Sequence, residues 1–350
     1  MNVILSQAIE GQPGIIVGPI STVLGWVINV IFNLISFVTP VGVLGISIIV
    51  MTFLFRLITL PTGIRQYRSN LKMKKLQPEI QKIRDKYGDT KDPELKRKMN
   101  AEIQTLYSKS GVNMFASCLP MLLTMPIFIA MIFVMRQGYL FIGSIGDIYE
   151  QLARAIMSLD NFVDVVRPLA LVSGRVPENM RPFDIGEVEN MMRLINVFRA
   201  DDWAHIFANM QGSSAQEVLR LHGVMESTIS FLGVNLIANS GMTFPGVVIP
   251  VLTVITSFFQ TRSMMTHGAS PSNGDPNAQR SQKMMMYIMP LVMGFFTVSF
   301  SAGVGIYWIA GNIYAIVQQY LIHRHFTRNK DENDENGKDI KTVKSAKNGK

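Results

Sequence analysis

The stretch 41-VGVLGISIIVMTFLFRLITLPTGIR-65 decides how this chain is built. From Val41 to Leu60 it carries a single charge, Arg56, inside a run long enough to cross ~30 Å of hydrocarbon, which takes about 20 apolar residues. A guanidinium is costly to hold in lipid, so inside such a run it marks a functional polar cavity by default. Snorkelling is the competing account: Arg56 stands five residues before Pro61 and nine before Arg65, and its long stem reaches toward the headgroups. Thr52 precedes Arg56 by four residues, Thr59 follows by three and Gly63 by seven, so one helical face is polar or small and the rest aliphatic.

Outward from this stretch the same composition continues. Of 350 residues 48% are hydrophobic and only 17% charged, with 23 Met and 20 Phe, which places the chain among polytopic membrane proteins. Five spans are expected, at 41–61, 113–136, 244–262, 284–300 and 302–323. The last two form one uncharged run too long for a single crossing, and the reversal is expected near Ser299 to Gly305. The single cysteine, Cys118, excludes an intramolecular disulfide and Cys-based metal sites. No charged leader precedes the apolar run, and no lipid-anchored N-terminal cysteine is expected.

Charge asymmetry orients the spans. Residues 65–110 hold 13 Lys and Arg against 6 Asp and Glu, and those after His323 hold 8 against 5. Residues 137–243 hold 7 Arg, no Lys and 12 acids. Positive residues collect on the cytoplasmic side, so an extracytoplasmic N-terminus and a cytoplasmic C-terminus are expected.

The basic segment has a pattern of its own. Leu76, Ile80, Ile83 and Tyr87 recur at helical spacing, as do Leu95, Met99, Ile103 and Leu106, while Gly88 stops the first run and Asp92-Pro93 opens the second. A helical hairpin is expected, its apolar seams paired. Lys72, Lys74, Lys75, Lys82, Arg84, Lys96, Arg97 and Lys98 then face phosphates of lipid or RNA, or simply fix topology.

Domain by domain, an outer segment with an interfacial amphipathic helix occupies 1–40, whose run Ile15–Val38 sets Thr22, Asn29, Asn33 and Ser36 on one face. A retained signal anchor or a sixth span are the alternatives for that run. The first span takes 41–64, the hairpin 65–110, the second span 111–136 and an enlarged outer helical insertion 137–243, with helical pieces near Ile185–Arg199, Trp203–Met210 and Ala215–Ser230. Spans three to five take 244–323 around a short loop, 266–283, and a basic tail over 324–350 reads as disordered. Met264, Met265, Met284, Met285, Met286, Met289 and Met293 flank that loop, as adaptable contacts or as lipid-facing filler.

Other spans offer polar stripes to match Arg56: Ser117 and Thr124 on the second, Thr253, Thr256 and Gln260 on the third, Asn312 and Gln319 on the fifth. Converging, they would line a watered cavity; singly, such residues make helix-to-helix hydrogen bonds.

Four runs carry a resemblance: LFRLITLPTGIRQYRSNLKMKKLQPEIQKIRDKYG at 54–88, GVNMFASCLPMLLTMPIF at 111–128, FLGVNL at 231–236, and MMMYIMPLVMGFFTVSFSAGVGIYWIAGNIYAIVQQYLI at 284–322. In order and spacing they resemble the YidC-type membrane protein insertases, in the five-span form of Gram-positive bacteria. The resemblance implies an all-α fold of five spans around a hydrophilic groove, with Arg56 at its centre. It implies clients that are nascent membrane proteins, a ribosome partner, cooperation with the Sec translocon, and no cofactor. The outer segment 137–243 departs from it in length.

Two other classes compete. A secondary transporter or channel would use Arg56 as an anion site, yet the internal repeats of such folds are missing. An enzyme needs acid–base or nucleophilic groups, and the expected spans hold no Asp or Glu and Lys only at the border, Lys283.

Overall fold

The computed structural model describes residues 14–88, 92–111, 115–171, 184–267 and 276–347. Among them the chain is helical apart from a two-residue hairpin, β1 (Ser230–Phe231) with β2 (Val234–Asn235). It divides into two compact units. One comprises Met1–Thr52, Leu122–Val251 and Phe295–Trp308; the other Phe53–Met121, Leu252–Gly294 and Ile309–Lys350.

The first unit is built around α7 (Gly143–Met157), whose Ile145, Tyr149, Leu152, Ala153 and Ile156 are buried. Their spacing of three and four residues lays one apolar stripe along the helix. Against it pack α9 (Val188–Ile195) and α11 (Ala215–Ile229), with α8 (Phe162–Ala170) and α10 (Ala200–Asn209) closing the insertion. The helices expected near 185–199, 203–210 and 215–230 are thus present as α9, α10 and α11; α7 and α8 were not foreseen.

The N-terminal helix α1 (Val17–Ser36) lies on α7 and on α6 (Gly138–Phe141). Two of its polar residues bond to Ser144: the Ser144 N–H donates to Asn29 Oδ1 at 3.0 Å and the Ser144 hydroxyl to Asn33 Oδ1 at 2.6 Å. Thr22, Asn33 and Ser36 are exposed and Asn29 is half-buried, and an apolar stripe of Val23, Trp26, Val30, Leu34 and Phe37 is exposed as well. By length and apolarity it also qualifies as a membrane-crossing helix.

The five expected spans fall on α2 (Val43–Ile58), α5 (Phe115–Arg136), α12 (Val248–His267), α13 (Pro276–Ser299) and α14 (Ala302–Lys347). The reversal expected near 299–305 lies between α13 and α14. Backbone bonds fix it: Ser240 N–H to Phe300 O at 3.1 Å, Ala302 N–H to Ala238 O at 2.9 Å, and Gly303 N–H to Leu236 O at 2.8 Å. Beyond His323, where composition suggested disorder, the backbone stays helical to Lys347. Propagating a helix that is already formed avoids the nucleation cost an isolated polar segment would face.

In the second unit α2 runs into α3 (Leu60–Tyr87) with a bend of 58° at Thr59. α4 (Pro93–Lys109) folds back on α3. The Asp92 side chain accepts from Glu94 N–H at 2.8 Å with Pro93 at the first helical position, and Gly88, at φ +59°, ends α3. Both punctuation marks were legible in the sequence.

Candidate functional site

In the second unit the C-terminal end of α2 and the first turns of α3, as far as Arg68, meet α14. Phe53 and Tyr314 rings stand 5.9 Å apart, Gly63 gives way to the Gln318 amide, and the buried Tyr67 hydroxyl bonds His323 Nδ1 at 2.8 Å. Burial raises the Tyr67 phenol above its ordinary pKa, which keeps it neutral for that bond. Arg68 caps the seam, its guanidinium 5.3 Å from the Phe326 ring centre.

Arg56 is half-buried in the last turn of α2. Its guanidinium lies against Gly311, where an added Cβ would come within 2.9 Å of Nη2. Glycine at 311 lets a planar cation approach the α14 backbone, and among the described residues no carboxylate forms an ion pair with it. A polar, unneutralised cation held this way favours water or an anionic group beside it.

The next residue, Asn312, is buried and faces a different helix. Its Nδ2 donates to Thr256 Oγ1 at 3.1 Å and to Ser257 Oγ at 2.9 Å, both on α12. Two adjacent residues of α14 therefore address α2 and α12. Gln260 and Gln319, one turn past Thr256 and two turns past Asn312, are half-buried. The Thr59 hydroxyl is bonded into its own helix, to Phe55 O at 3.1 Å and Arg56 O at 3.2 Å.

Thr52 and Thr124 belong to the first unit. Thr52 is buried and donates to Ile48 O at 2.6 Å, and Thr124 is half-buried. The Ser117 side chain lies outside the described residues. Sequence reading missed Ser257, Tyr314 and Gln318; their only signal was spacing, Gln318 standing seven residues past Gly311 on the same α14 face.

Of the hairpin cations, Lys72, Lys74, Lys75, Lys82, Lys96, Arg97 and Lys98 are exposed and Arg84 is half-buried. Arg65, Arg68, Lys72, Lys75, Lys82 and Lys86, with Glu79, recur every three or four residues along one exposed edge of α3. Lys86 reaches Glu102 of α4 at 3.0 Å, which holds the Glu102 carboxyl below and the Lys86 ammonium above their usual ranges.

Comparison with known proteins follows this geometry. Residues 36–330 match the family model of the 60Kd inner membrane protein. The chain is 26% identical over 286 residues to the membrane protein insertase YidC of Oceanobacillus iheyensis, covering 82% of this chain and 77% of that one. It is 26% identical over 302 residues to the membrane protein insertase MisCA of Bacillus subtilis, covering 85% and 78%. With the insertase YidC of Caldanaerobacter subterraneus it shares 27% over 293 residues, covering 84% and 91%.

Proposed function

The chain belongs to the family of the 60Kd inner membrane protein, and on that premise we propose that it is a membrane protein insertase working through a hydrophilic groove centred on Arg56. The observation that carries this reading is a half-buried guanidinium set against the Gly311 backbone with no carboxylate partner among the described residues. A cation kept this way draws water and the acidic or polar flank of a client partway across the membrane. The remaining apolar path is shorter, and with it the desolvation cost of carrying polar chain through lipid. The client's apolar segment meanwhile partitions into lipid along exposed apolar faces such as Leu54, Leu57 and Ile58 of α2, and hydrophobic transfer supplies the drive without nucleotide.

Thr59, Ser117, Gln260, Asn312 and Gln319, all of the second unit, are assigned to this groove as polar lining or as its support. Asn312, through Thr256 and Ser257, ties α12 to α14 and is the supporting kind. The five helices α2, α5, α12, α13 and α14 cross the membrane with the N-terminus outside and the C-terminus in the cytoplasm. The cationic edge of α3 then faces the cytoplasm, where ribosomal RNA or anionic headgroups neutralise it. Handover from the Sec translocon fits the same geometry, since a groove open to lipid admits a client from the side.

The test is insertion by purified protein in vesicles. A small single-span client synthesised beside them should gain a protease-protected fragment that empty vesicles do not give. Protection equal in the two kinds of vesicle would remove the insertase reading. Solute flux in place of client insertion would return a transporter.

A further inference from the structure

Between α12 and α13 the second unit holds an open cavity of about 430 Å³. It is lined by Phe258, Arg262, Met265 and Thr266 of α12 and by Met286 and Tyr287 of α13. We propose that this cavity binds an anionic phospholipid, its phosphate on the Arg262 guanidinium and the start of an acyl chain between Phe258, Met265 and Met286. The inference rests on the membrane reading of the chain and not on insertase activity.

The chemistry of the walls selects the occupant. Arg262 is the one Lys or Arg in α12, and it opens into a cavity whose other walls are thioether and aromatic. A soluble anion would leave those apolar walls in water, and an uncharged apolar ligand would desolvate the guanidinium without a partner. An amphiphile with an anionic head answers both. Basic pockets between membrane helices at the headgroup level are where such heads are held.

Continuity of surface points the same way. Ile255 and Phe259 on α12 and Met284, Ile288 and Leu291 on α13 are exposed apolar residues, so the greasy surface extends beyond the cavity along both helices. A cavity of this volume suits a headgroup and the first methylenes, and the rest of the chain has that surface to lie on. The Phe258 and Tyr287 rings, 6.0 Å apart, span the two helices at the cavity wall. Met265 and Met286 adapt to chains of varied unsaturation. Lys283 is exposed one turn before Met286 and Tyr287, adding a second cation at the mouth.

The experiment uses the full chain carrying Phe258→Trp in vesicles of equal parts phosphatidylglycerol and phosphatidylcholine, with bromine on the acyl chains of one lipid or the other. Quenching is read as the increment over the parent with its three native tryptophans. Brominated anionic lipid is expected to quench about fivefold more effectively, the factor for one cation near the surface. Arg262→Gln should erase that preference, while Arg262→Lys, which keeps the charge, should retain most of it and so separates loss of the site from loss of the fold. Equal quenching by both lipids with Arg262 present overturns the proposal, as does a preference that survives Arg262→Gln. Loss of the preference on adding inorganic phosphate or a soluble apolar peptide overturns it too, by putting a different occupant in the cavity.

Discussion

Arg56 and Gly311 are in close contact: a Cβ at 311 would stand 2.9 Å from the guanidinium Nη2. The atom that must yield is the far end of a flexible side chain, not backbone. Gly311→Ala should therefore leave the fold intact and even gain the fraction of a kcal/mol, roughly 0.5–1, by which alanine exceeds glycine in a helix. It should nevertheless displace the cation. The expected outcome is an unchanged or raised melting temperature with reduced client insertion, read by thermal unfolding and protease protection on the same preparation.

Gly146 gives the contrasting case. A Cβ there would lie 2.6 Å from the Tyr139 carbonyl oxygen, so backbone rather than a side-chain tip must move. Gly146→Ala should prise α6 from α7 and destabilise the first unit by about 1–3 kcal/mol, the usual cost of overpacking. Denaturant unfolding in detergent measures it.

Asn312 joins α14 to α12 through two hydroxyls. In membrane proteins such interhelical bonds average about 0.6 kcal/mol and reach about 1.7. A double-mutant cycle of Asn312→Ala with Ser257→Ala should return a coupling in that range, and a coupling of zero would mean the bond contributes nothing.

The insertion over residues 137–243 should weaken in acid. His222 packs between Trp203 and Phe207, at ring distances of 4.4 and 5.0 Å, and its buried Nε2 has no hydrogen-bond partner among the described residues. Burial lowers its pKa below the ordinary imidazole value of 6.5, opposed by the nearby Glu226 carboxylate. The unfolded chain therefore binds the proton at higher pH than the folded one, and stability falls as pH drops through 6.5 toward the lower folded value. Trp203 fluorescence should report an acid-shifted unfolding in the parent, and His222→Phe should abolish that pH dependence.

Much of this was legible in the sequence, for reasons that differ by residue. Arg56 and Asn312 stand out because a charged or amide group in an apolar run has few cheap places to be. Asp92-Pro93 and Gly88 announce a helix start and stop through purely local chemistry. Gln318, Ser257 and Tyr314 escaped because which faces meet across helices is a tertiary fact that spacing within one helix does not encode. Asn29 and Asn33 read as a water-facing stripe, whereas their partner Ser144 lies more than a hundred residues away.

The most direct test replaces Arg56 by Lys and by Ala and measures protease-protected insertion of two clients, one with an acidic and one with a neutral outer segment. Lysine should retain most insertion of the acidic client and alanine little, while the neutral client should depend less on the charge. Equal insertion of the acidic client by the parent, Arg56→Lys and Arg56→Ala would contradict a groove that works through that cation.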